Sequence, residues 1–142
     1  LYTLPMPEIL EQYVGELPDG YRGQSGRAAS TLAELSAYLS ELARDELTPR
    51  LNLALLAGFA LNERSWGTAE CYTALAIFEG LAEELGMPHT ELVVSRRIDR
   101  AEVVRLFLDL SQVPPGRMRE VATKTWERFF ERPLPELELV AR

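Results

Sequence analysis

The chain has 142 residues, with 46% apolar and 26% charged side chains and a formal net charge of −7. That length fits one compact domain, the balance excludes disorder over the whole chain, and the acidity argues against a protein that coats nucleic acid through bulk charge. No apolar run reaches the roughly 18 residues that mark a membrane span. The single Cys, Cys71, cannot form an internal disulfide. The sequence opens on Leu1 rather than Met, so it is expected to start inside a longer chain or at an artificial boundary, and no signal-peptide pattern follows.

The first elements are separated by loop signals. Residues 5–15 predict a short helix around Ile9, Leu10, Tyr13 and Val14, stopped by Gly15. Leu17 to Gly26 is rich in Gly, with a Pro and an Asp, and predicts a loop. Residues 1–26 are therefore expected to be an arm and loop, and 27–142 the helical domain. Thr31 and Glu34 form a capping box, and Leu32, Leu35, Leu39 and Leu42 follow at helical spacing.

Thr48-Pro49 then caps and starts a third helix. Its stretch from Leu53 to Leu61 has no polar face, which predicts the buried central helix of the domain near 48–64, with Gly58 permitting a close crossing. Gly67-Thr68 restarts the chain. Cys71, Tyr72, Leu75, Phe78, Ala82 and Leu85 form the stripe of a fourth helix, capped by Gly86 and stopped by Pro88. A short turn is expected over Thr90 to Val94.

The fifth helix carries a capping box in Asp99 and Glu102 and a hydrophobic staple in Ile98 and Val103. Its apolar residues, among them Val104, Leu106, Phe107 and Leu108, cover more than one stripe, so it is expected to face two neighbours. The sixth, about 115–131, places Met118, Val121, Ala122, Thr125, Trp126 and Phe129 at amphipathic spacing. Pro133 and Pro135 end it, and Leu137, Leu139 and Val140 follow in a tail that needs a surface to sit on. Together these elements predict an all-α fold, a single compact bundle of five to six helices.

Candidate chemistry is sparse. The chain holds one His, one Cys and one Lys against fourteen Arg. This Arg usage fits a GC-rich bacterial genome, and a cytoplasmic location is expected. Zinc would need several carboxylates beside His89 and Cys71, and a di-iron Glu-x-x-His pair is absent because Gly86 stands three residues before His89. Cys71 on an apolar stripe is expected to pack as a small hydrophobe. His89 in a turn lacks an evident nucleophile and orienting group. No enzyme activity, metal or cofactor is expected.

Charge is unevenly spread. Residues 1–92 carry a net −9 and residues 93–142 a net +2. Arg96, Arg97, Arg100 and Arg105 fall in one short stretch, read either as an anion or nucleic-acid contact or as partners of the acidic half, within the molecule or across a dimer.

Leu81-Ala82-Glu83-Glu84-Leu85-Gly86-Met87-Pro88-His89-Thr90-Glu91-Leu92-Val93 resembles the end of the DNA-binding domain in Xre/Cro-type helix-turn-helix transcriptional regulators. In that family a helix ending Leu-Ala-x-x-Leu-Gly precedes a short turn and a final Glu-Leu. The resemblance implies that Phe59 to Trp66 corresponds to the recognition helix, offering Asn62, Glu63, Arg64 and Ser65 to DNA. Pro49-Arg50 stand where the family usually carries Gln.

The expected function is a non-enzymatic helical protein-interaction or dimerisation module, read as the regulatory part of a transcription factor and most simply as a homodimer. Trp126, Phe129 and Phe130, with Leu137 and Leu139, are the expected partner contacts. Phe129 and Phe130 are adjacent, so they are not expected to share one core. A DNA-binding regulator using Arg64, Arg96, Arg97, Arg100 and Arg105 is the first alternative. A small-molecule sensor with a cavity lined by Cys71, Tyr72 and Trp66 is the second.

Overall fold

The computed structural model describes residues 4–16 and 24–136. Within them lie six α-helices: α1 (Glu8–Glu16), α2 (Gln24–Arg44), α3 (Pro49–Leu61), α4 (Ala69–Leu85), α5 (Arg100–Ser111) and α6 (Pro115–Phe130). A single 3-10 turn, Glu63–Ser65, follows α3, and a two-stranded ribbon, β1 (Val93–Val94) and β2 (Arg97–Ile98), precedes α5. The expected all-α bundle is what the chain forms.

Its centre is α4, not the segment near 48–64. α4 packs against each of the other five helices. Every residue from Cys71 to Phe78 is buried. α3 buries only Pro49, Leu53, Leu56, Ala57 and Ala60. Apolar residues all round a helix mark a surface that avoids water, but they do not say how much of it this chain covers. α4 instead carries Ala74, Ala76, Gly80 and Ala82, which let several neighbours approach its axis together.

The ends of α4 follow the sequence signals. Thr68 Oγ1 accepts from Cys71 N at 3.2 Å, and Gly86 closes the helix in the left-handed region at φ 67°. A side chain there would be strained, which is why Gly occupies it.

Several expectations are corrected. α2 begins at Gln24, so the proposed boundary at 26 falls inside a helix, and Thr31 lies buried in its interior rather than at its cap. Arg27, Ala28 and Ala29, good helix formers, stand just upstream of the Thr31–Glu34 pair. α1 packs on α4 and α2, burying Leu10 and Tyr13, and Tyr13 Oη donates to Glu79 Oε1 at 2.8 Å.

Thr48 precedes α3 without capping it. Its hydroxyl turns back to Asp45, whose Oδ1 also accepts from the Leu47 and Thr48 amides at 3.0 and 2.7 Å. Gly58 meets no close neighbour, because a Cβ there would touch nothing within 4 Å. The residue that permits a close crossing is Gly80.

The turn expected over Thr90 to Val94 is part of an antiparallel ribbon pairing Val93 with Ile98 and Val94 with Arg97. Ser95 and Arg96 both hold positive φ, 52° and 64°, as a two-residue type I′ connection requires. Neither residue is the Gly or Asn that usually announces such a turn, so no local signal marks it.

Candidate functional site

α3 and α5 lie side by side on α4 and run in opposite directions. Near the start of α3, Arg50 Nε donates to Ser111 O at the end of α5, 2.7 Å away. Just beyond the end of α3, Glu63 and Trp66 meet Arg97 and Arg100, which flank the start of α5. The two helices therefore present one joint outer surface.

That surface is apolar. Leu51 is 68% exposed and Leu55 49% on α3, and Leu108 is 54% exposed and Val104 40% on α5. Ala54 and Gly58 are exposed between them. Leu47, two residues before α3, is 85% exposed. From Leu51 to Leu61 the sequence has no ionisable residue. α5 meets two neighbours, α3 and α4, as expected, but Val104 and Leu108 face outward from both. Among the described residues, no helix is long and apolar enough to cross a membrane. The surface is an exposed apolar patch on the helical bundle.

A basic cluster closes the carboxyl end of this face. The Arg97 and Arg100 guanidiniums lie 5.7 and 5.6 Å from the Trp66 ring centroid and share Glu63 Oε1, at 3.4 and 3.1 Å. Trp66 is held by its own indole N–H, which donates to Ala60 O at 2.8 Å. Arg64 and Arg96 are exposed beside these residues in sequence. Stacking and pairing fix Arg97 and Arg100 to the bundle, and each exposed pair contributes a small stabilisation.

Arg105 does not join this cluster. It forks onto Glu102, with Nε to Oε1 and Nη2 to Oε2 both at 2.8 Å, and also reaches Asp109 and Pro88 O. Glu102 in turn accepts from Thr90 N at 2.5 Å. The Arg105 hydrogen bonds, helped by the Thr90 amide and opposed by partial burial, hold the Glu102 carboxyl down at about 2. This group ties the segment after α4 to the first turn of α5. Asp99 Oδ1 caps that helix by accepting from Glu102 N at 3.2 Å, but Glu102 spends its own carboxylate on Thr90 and Arg105 rather than returning it to Asp99. Of the five arginines singled out in the sequence, Arg97 and Arg100 are thus brought together, Arg64 and Arg96 flank them, and Arg105 stands apart.

The aromatic anchors expected on α6 are not on the surface. Trp126, Phe129 and Phe130 are buried among helices of the same chain. Trp126 Nε1 donates to Ser36 O of α2 at 3.2 Å, and Phe129 presses on Gly80 of α4. Phe129 and Phe130 are both covered and meet edge to face at a centroid distance of 6.4 Å. Adjacent residues can both be buried here because α6 packs against α2 and α4 together. Leu137 and Leu139 lie outside the described residues.

No protein-family model matches this sequence, and no curated protein or solved structure matches it significantly.

The remaining candidates are placed by the fold. Cys71 is fully buried in the first turn of α4, and burial pushes its thiol up to about 12. His89 lies past the other end of that helix, about 20 Å away along its axis, with Nδ1 3.0 Å from Thr90 O. The two do not form a catalytic pair. Tyr72 is buried with Cys71, and Trp66 packs against Arg97 and Arg100 rather than lining a cavity with them. A cavity of about 520 Å³ opens instead between α1, α4 and α6, where Glu79, Glu83 and Arg128 line it beside Met6, Ile9 and Phe129. Among the described residues, no group of three His, Cys, Asp or Glu side chains is arranged to hold a metal ion.

Proposed function

We propose that this chain is a helical protein-interaction module, and that its contact surface is the α3–α5 face. The supporting observation is the joint exposure of Leu51, Leu55, Val104 and Leu108 on two neighbouring helices, with no ionisable residue between Leu51 and Leu61. Exposing four large aliphatic side chains on one surface is costly in water, and contact with a protein surface removes that cost. The α6 aromatics are spent on the chain's own core, so α6 serves stability and α3–α5 serves recognition.

The test is the double substitution Leu51→Glu with Leu108→Glu. Both side chains are largely solvated, so the helical circular dichroism and the melting transition should be retained. Association read by sedimentation velocity, and binding of an apolar fluorescent dye, should both fall. A double variant that matches the parent chain in sedimentation and dye binding would remove the α3–α5 face from consideration.

A further inference from the structure

We infer that the cavity between α1, α4 and α6 binds a linear aliphatic polyamine. This site is separate from the α3–α5 face, since no residue of α3 or α5 lines it.

Carboxylates reach the cavity from three elements. Glu8 stands in the first turn of α1, Glu79 and Glu83 stand one turn apart on α4, and Glu131 follows the last turn of α6. Residues four apart share one side of a helix, so the α4 pair meets the cavity together. Arg128 is the one cation among the lining residues, and it is already engaged. Its Nη1 donates to Glu83 Oε2 at 3.3 Å, its Nη2 donates to Gly80 O at 3.0 Å, and its guanidinium lies 5.3 Å from the Phe129 ring centroid. Arg132, the next cation in sequence, donates from Nε to Phe130 O at 3.4 Å and does not line the cavity. Glu79 accepts from the Tyr13 hydroxyl, a neutral donor that cancels none of the negative charge. Four carboxylates thus face one guanidinium, a surplus of three negative charges around one opening.

The floor has a different character. Met6 and Ile9 are half-buried and Phe129 is buried, so apolar surface lies beneath the ionic walls. At about 520 Å³ the space is of the size that holds small organic ligands. Among the described residues, no three His, Cys, Asp or Glu side chains are placed to hold a metal ion. The carboxylates are therefore too dispersed to converge on one compact cation, and an anion would meet a surplus of like charge.

A chain of methylenes carrying several ammonium groups satisfies both parts of the cavity. Its charges answer carboxylates on separate helices, and its methylenes cover Met6, Ile9 and Phe129. One ammonium offsets one carboxylate, so a surplus of three selects a polyamine over a monoamine. Residues 1–92, which supply α1 and α4, carry a net −9, and that field draws cations toward the cavity.

Spermidine, a trication at neutral pH, is the probe, titrated calorimetrically into the whole chain at low salt. One molecule should bind per chain, and the melting temperature should rise with its concentration. Glu8 and Glu131 are exposed, so Glu8→Gln with Glu131→Gln should keep the helical circular dichroism while the affinity falls about fivefold or more. Glu41 and Glu91 are exposed away from the cavity. Glu41→Gln with Glu91→Gln removes the same charge and should leave the affinity within about twofold. Hexaamminecobalt, a compact trication without methylenes, should bind about fivefold or more weakly than spermidine, because it covers none of the apolar floor. Absence of saturable spermidine binding, or an equal loss in the two double variants, would overturn the site. Hexaamminecobalt binding as tightly as spermidine would overturn the polyamine as its ligand.

Discussion

Gly80 of α4 and Phe129 of α6 touch where any side chain on residue 80 would collide. A Cβ there would press into the Phe129 ring and stand 2.9 Å from the Thr125 methyl. The aromatic edge rests on bare backbone, which brings α6 onto the central helix and lets Phe129 share the core with Phe130. Arg128 reinforces the contact by donating to Gly80 O at 3.0 Å.

Gly80→Ala should therefore destabilise the chain by about 1–3 kcal/mol, the usual penalty for overpacking, even though alanine is the better helix former. Urea unfolding gives the value. Adding Phe129→Leu to the alanine variant should return part of the loss, because the shorter side chain vacates the space that the new methyl needs.

Gly58 should behave in the opposite way. With open space around it and ordinary helical backbone, Gly58→Ala should stabilise the isolated chain by about 0.5–1 kcal/mol. The new methyl would lie on the exposed α3–α5 face and meet no other atom of the chain. Urea melts of the parent and variant chains measure the gain.

The difference between these glycines shows what the sequence could convey. Local chemistry was legible: Asp99, Thr68 and Gly86 act at helix ends as their types and positions imply, and the stripes on α4 and α6 are the ones the fold buries. Relations between helices were not. Nothing in the apolar run from Leu53 to Leu61 says that the chain leaves one side of it open, and nothing in Phe129-Phe130 says that two neighbours close over both rings. Periodicity alone points to α6 as a contact surface, although strong amphipathic periodicity is the signature of a helix that buries one face in its own bundle. The better signal was surplus: α3 and α5 carry more apolar side chains than one buried face uses.

Asp45 rather than Thr48 should anchor the start of α3. The Asp45 carboxylate accepts from the Leu47 and Thr48 amides, the Thr48 hydroxyl and Asn52 Nδ2, the last at 2.6 Å. Partial desolvation pushes this carboxyl up, but the hydrogen bonds outweigh it and leave it below its ordinary value. Asp45→Ala should cost about 1 kcal/mol at neutral pH, in the range of a lost helix cap, and Thr48→Ala clearly less. Parallel urea melts of the two variants check the order, which reverses what the Thr48-Pro49 pattern implies.

Glu102 sets the acid response of the α5 end. Its carboxyl, held at about 2 in the fold by Arg105 and the Thr90 amide, returns to an ordinary value near 4.5 when the chain unfolds. The unfolded chain then takes up the proton first, so this stabilisation is complete above about pH 5 and is lost progressively as the pH falls toward 2. Replacing the carboxylate by an amide removes charge-assisted hydrogen bonds to the Arg105 guanidinium and the Thr90 amide, so Glu102→Gln should cost about 1.5–3 kcal/mol at pH 7. The variant should also flatten the decline in stability between pH 5 and pH 2, and the two chains should converge at the acid end. Urea melts across that interval measure both slopes, and equal slopes would show that the carboxylate contributes nothing to holding the loop after α4 against α5.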